Sequence, residues 1–146
     1  MSEQKVEAPT AAELEWVRDN LKLAQTLAKV YAGAEPGAAP TLADLDTAFA
    51  NWLDTWHAAP ADERDDPNPY INGFGLAFGQ ALVDDVGLEW AVATDEHGTD
   101  IAVHGQPGDV LVFPTNFVAK RFERGETRFM QSSLDKIRSR VEELRT

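Results

Sequence analysis

The sequence predicts an α+β protein with three N-terminal helices, a three-stranded antiparallel meander and two C-terminal helices. Three observations carry this expectation. Thr10 and Thr41 each open a Thr-x-x-acid capping box ahead of an apolar stripe that recurs every three and four residues, the period of one helix face. Residues 88–104 change to an alternation of period two, broken only by the polar turn D-E-H-G, as a hairpin requires. Helical spacing then returns after Pro114 and runs to Leu144. At 146 residues the chain fits a single domain, 1–146. A compact fold of that size buries roughly two-thirds of the surface its unfolded chain exposes, so no covalent staple is needed.

Residues 1–9 are expected to be a frayed leader ending at Pro9. The first helix follows, with Leu14, Val17, Leu21, Ala24, Leu27 and Tyr31 on one face, and Gly33 stops it. The connection 34–40, which holds Pro36 and Pro40, is one a helix cannot cross. In the second helix Leu42, Leu45, Phe49, Trp52, Leu53 and Trp56 share a face, and Pro60 limits it. Its aromatic residues resemble a recognition box, but burial demands this same spacing, so core packing is the expectation. Residues 59–69, rich in Asp and Pro, form a loop.

The third helix starts between Asn68 and Gly73 and ends at Gly87. Gly75 and Gly79 lie one turn apart on the border of its apolar face, each costing about 1 kcal/mol of helix propensity relative to alanine. Close approach of another backbone is the natural compensation. The same letters, G-F-G-L-A-F-G, invite a dinucleotide-binding reading, but a proline-rich loop precedes them where that motif needs a strand.

In the hairpin, a four-residue turn at 95–98 pairs Val92 with Ile101 and Trp90 with Val103, while Ala91 meets Ala102 and Glu89 meets His104. A two-residue turn at His97-Gly98 slides the register by two and keeps the same faces together. One face is then bulky and the other is lined by alanine, against which a helix is expected to sit closely. Q-P-G-D turns the chain into the third strand, V-L-V-F at 110–113. A short basic helix follows, closed by Gly125, and then a terminal helix with Met130, Leu134, Ile137, Val141 and Leu144 on one side. That seam covers too few heptads for an independent coiled coil, so the chain is expected to be a monomer or a weak dimer.

The formal charge of −12 is unevenly spread: residues 1–69 sum to −8, residues 70–118 to −7 and residues 119–146 to +3. Phosphate recognition rests on clustered Lys and Arg, so neither nucleic acid nor anionic membrane is an expected partner. The absence of cysteine excludes disulfides, thiolate nucleophiles and cysteine-ligated metals. The polar N-terminus lacks the apolar core of a secretory signal, and the expectation is a cytoplasmic protein.

Several short pieces in fixed order carry a resemblance. They are F-G-Q-A-L-V at 78–83, G-L-E-W at 87–90, D-E-H-G-T-D-I-A at 95–102, V-F-P at 112–114 and K-R-F-E-R-G-E at 120–126. Together they resemble a bacterial family catalogued as domain of unknown function 3806, over roughly residues 70–130, with the first two helices outside the match. The resemblance bears on fold and bacterial origin and carries no catalytic residue.

Asp95, Glu96, His97, Asp100 and His104 form the cluster with metal-ligand chemistry. Strand parity sets His104 several residues from the turn, so a complete site needs an awkward fold-back. No metal site and no cofactor are expected. No serine lies in G-x-S-x-G, and the adjacent Asp84 and Asp85 point about 100° apart on a helix, too divergent to flank one bond. The catalytic residues are unknown, and the balance favours a protein that is not an enzyme. Lys120 and Arg121 are the first basic residues after Arg64. They either neutralise the hairpin through Asp95 or Asp100, or hold an anionic ligand at a helix end. The expected function is an acidic protein-binding module, inhibitor-like or immunity-like, for a basic partner, with Asp95, Asp100, Lys120 and Arg121 as binding residues. The alternative is a small-molecule or metal-binding domain, with or without catalysis, centred on the 95–104 hairpin and Lys120-Arg121.

Overall fold

The computed structural model describes residues 5–35, 37–96, 98–106 and 108–145. The elements run β1 (Lys5–Glu7), α1 (Ala11–Ala32), α2 (Leu42–Ala58), a 3-10 turn (Ala61–Glu63), α3 (Asn68–Val86), β2 (Glu89–Asp95), β3 (Gly98–Gly105), β4 (Val110–Val112), α4 (Pro114–Arg124) and α5 (Met130–Arg145). The fold is α+β, and the described residues form five α-helices and a four-stranded antiparallel sheet in the order β1-β2-β3-β4.

Two features differ from the expected three helices, meander and two helices. Lys5–Glu7, placed in the frayed leader, is an edge strand ahead of all the helices, and it pairs Lys5 with Thr94, Val6 with Ala93 and Glu7 with Val92. Three residues with two charges carry no alternation to read, and only the free edge of β2 makes them a strand. The second difference is the 3-10 turn, which interrupts the 59–69 loop; α3 takes over that loop's last residues from Asn68.

The helix ends follow from local chemistry. Both capping boxes form: Thr10 Oγ1 accepts from the Glu13 amide while Glu13 accepts from the Thr10 amide, and Thr41 and Asp44 repeat the exchange. Gly33, Gly87 and Gly125 close α1, α3 and α4 in the left-handed region. Pro69 occupies the first turn of α3, where its missing N–H costs nothing, and Asp66 Oδ1 accepts from the Asn68 amide at 3.0 Å just ahead of it.

The main core joins α2, α3, α5 and part of α1 around Phe49, Trp52, Phe74, Phe78, Leu82 and Leu134. Phe49 meets Phe74 edge-on at 5.3 Å and Phe129 at 5.4 Å, so the aromatic face of α2 is core. A smaller cluster of Val17, Leu76 and Ile101 ties α1 and α3 to the sheet.

The glycines of α3 set where the sheet and α4 sit. A Cβ on Gly75 would lie 2.7 Å from Thr115 Cα and 3.0 Å from the Pro114 oxygen, so α3 meets the backbone of α4 directly. A Cβ on Gly79 would lie 2.6 Å from Trp90 Cη2 and 2.9 Å from Pro114 Cγ. The expected close approach is therefore present, and it corrects the expectation about the sheet. α1 and α3 pack on the bulky face, through Trp90, Ile101 and Val103, while Ala91, Ala93 and Ala102 are buried but belong to neither core cluster. Because α3 supplies the small residues, the sheet must supply the large ones; alanine against glycine would leave a void at interior packing density.

A candidate binding face on the sheet

The hairpin takes the register expected for the 95–98 turn, with Val92 facing Ile101, Trp90 facing Val103, Ala91 facing Ala102 and Glu89 facing His104, but the ladder runs one pair further than expected, to Asp95 with Gly98. Directly paired residues share a side of an antiparallel sheet, so the register assigns the outer face strand by strand. Val6 stands on β1, Ala91, Ala93 and Asp95 on β2, Asp100, Ala102 and His104 on β3, and Leu111 on β4. Its centre is a floor of buried alanines, and Val6 and Leu111 stand on the two strands that border it.

Two clefts open on this face. One of about 260 Å³ is lined by Ala93, Asp95, Asp100, Phe113 and Asn116, among others. The other, about 380 Å³, is lined by Val6, His104, Asp109 and Leu111. Asp100 Oδ1 accepts from the Ile101 amide at 2.8 Å, which pins its carboxylate beside the strand. At the far end His104 Nε2 lies 3.3 Å from Asp109 Oδ1. Asp109 sits in the left-handed region with φ 49°, and its amide donates to Gln106 Oε1, so the turn holds that carboxylate outward at 79% side-chain exposure. Asp109 escaped the sequence reading, although Q-P-G-D had been recognised as a turn.

Lys120 and Arg121 line a third cleft of about 250 Å³, which shares Phe113 and Asn116 with the first and Leu111 with the second. Lys120 and Arg121 thus line a cleft next to the one that holds Asp95 and Asp100, with Phe113 and Asn116 common to both. The structure does not pair Arg121 as expected. The contacts shown for its guanidinium are the Phe117 ring at 3.7 Å, the Phe129 ring at 5.8 Å and the Phe117 carbonyl oxygen at 3.2 Å. Its Nε is buried and has no hydrogen-bond partner. Arg121 is a strut between α4 and the start of α5, and Lys120 is the exposed cation of the pair.

Among the described residues no group of three or more His, Asp or Glu is placed to hold a metal ion. His97, one of the ligands weighed at the hairpin tip, lies outside the described residues. No helix of the described residues is long and apolar enough to cross a membrane.

With the geometry in place, comparison with known proteins adds one finding. The family described as domain of unknown function (DUF3806) matches residues 55–132, more than half of the chain. The chain belongs to this family. The DUF3806 stretch runs from the last turn of α2 to the first turn of α5, so it contains α3, β2, β3, β4 and α4 and every candidate residue of the outer sheet face named above except Val6. It also takes in the 59–69 loop, further toward the N-terminus than the resemblance first indicated. No curated protein and no solved structure matches the chain significantly.

Proposed function

We propose that this DUF3806 protein is a non-enzymatic binding module whose outer sheet face receives a basic protein partner. One observation carries the proposal: on this face Val6, Leu111 and Phe113 stand around a floor of buried alanines, with Asp95, Asp100 and Asp109 at its ends. An apolar centre with a charged rim is the anatomy of a protein interface, in which the centre supplies affinity and the rim supplies steering. The charge sign selects the partner. Residues 65–119 carry nine Asp and Glu and no Lys or Arg.

The test uses two variants that act on different parts of the face. Leu111→Glu places a charge among the apolar residues that border the alanine floor, and the double variant Asp95→Lys with Asp100→Lys reverses one rim. Proteins captured from a lysate at low ionic strength by the wild type, and lost with both variants while each variant keeps the wild-type melting midpoint, support the proposal. A captured set that survives both variants contradicts it.

A further inference from the structure

A cavity of about 410 Å³ opens where α1, α2 and α3 meet beside Ala39 and Pro40, away from every residue assigned to the sheet face. Leu21, Ala24, Leu42, Leu45, Ala77 and Ala81 give it an apolar body. Its polar groups are Gln25, Thr41, Gln80, Asp84, Asp85 and Gln131, and none of the described lining residues is Lys, Arg or His. A volume in the range of ordinary ligand pockets, apolar walls and a few placed polar groups are what small-molecule sites share.

The polar groups are not loosely arranged. The Trp90 indole N–H donates to Gln80 Oε1 at 3.0 Å, and Gln80 Nε2 donates to Asp84 Oδ1 at 2.9 Å. This relay fixes which way the Gln80 amide points and holds Asp84 in place through one oxygen. The N-terminus of α2 also borders the cavity and would by itself favour an anion. Its capping box already engages the Thr41 and Asp44 amides, and Asp44 brings a further negative charge to that end.

We infer that this cavity binds a small organic monocation, a primary ammonium on a compact apolar body, with the apolar part against Ala24, Leu42, Ala77 and Ala81 and the ammonium at Asp84, while Asp85 on the same rim adds only its charge. The two carboxylates attract a cation, and the walls favour a ligand that is otherwise apolar. An ammonium bonded to a positioned carboxylate gains more than a neutral hydroxyl of the same shape. The inference stands independently of the sheet face, with which it shares no residue.

The experiment titrates the full chain with three probes of matched shape, cyclohexylmethylammonium, cyclohexylmethanol and cyclohexanecarboxylate, and follows amide, Gln side-chain and Trp indole resonances. The ammonium is expected to bind about tenfold more tightly than either of the others, the ratio expected for a charge-assisted hydrogen bond. Its shifts should fall on Ala24, Leu42, Ala77, Gln80 and the Trp90 indole. Asp84→Asn should remove the advantage of the ammonium over the alcohol, and Ala81→Leu, which fills the cavity, should abolish saturable binding of all three. No saturable shift at about 10 mM probe, well above the roughly millimolar affinity open to such fragments, would overturn the inference. So would equal affinities for the three probes, or shifts confined to residues outside the cavity.

Discussion

Gly75 has no room for a side chain because the atoms in the way belong to the backbone of α4, which cannot swing aside. Gly79 is crowded instead by the rings of Trp90 and Pro114. Overpacking a well-filled site costs roughly 1–3 kcal/mol, against a gain of about 1 kcal/mol in helix propensity when glycine becomes alanine. Gly75→Ala should therefore lower the denaturant midpoint, and by more than Gly79→Ala; a Gly75→Ala midpoint above the wild type would refute the packing account. A second residue-scale prediction concerns Tyr70, whose hydroxyl donates to Asp65 Oδ2 at 3.4 Å. Burial, and then the charge and hydrogen bond of Asp65, raise its pKa above the usual value of 10.0. The folded protein then holds this proton more tightly than the unfolded chain does. The Tyr70 contribution to stability is full below pH 10 and is lost as pH rises through the folded value. A phenolate absorbance titration should show Asp65→Asn moving one tyrosine toward its ordinary pKa; a titration unchanged by that substitution would contradict the assignment.

Asp46 decides how α5 docks. It is buried on α2, and its two oxygens accept from the amides of Met130 at 2.8 Å and Gln131 at 3.2 Å, so α2 caps the N-terminus of α5 across the core. Asp46→Ala leaves those donors unpaired in a dry site and should cost about 1–3 kcal/mol. Hydrogen exchange should quicken first in the opening turn of α5; a loss of protection that begins elsewhere would count against this role. This contact had a signal in the sequence that went unread, since Asp46 interrupts the apolar stripe of Leu42, Leu45, Phe49 and Leu53. Elements governed by their own residues were legible: both capping boxes, the three glycine stops and the alternation of the hairpin. Those governed by a partner were not. β1 exists because β2 has a free edge, the choice between two hairpin registers needed the folded turn, and the side of the sheet that the helices cover depended on which partner supplied the small residues.

At the scale of the whole molecule, charge and shape converge. The acidic character of residues 70–118 was plain in the sequence, and so was the candidacy of Asp95 and Asp100. Their relation to Val6, Leu111 and Asp109 was not, because it is made by pairing four strands of which β1 lies more than eighty positions ahead of the other three. A predominantly acidic rim around an apolar centre should accelerate the encounter with a basic partner and repel nucleic acid. Salt weakens that field, since the Debye length shrinks to about 8 Å near 0.15 M. The measurement that tests this most directly is the association rate of the purified partner with the wild type and with the Asp95→Lys, Asp100→Lys variant, followed across ionic strength. The account predicts a wild-type rate that falls steeply with salt, a variant rate that is slower at low salt and flatter in its dependence, and dissociation rates that change less than association rates. A rate indifferent both to salt and to the two reversals would contradict it.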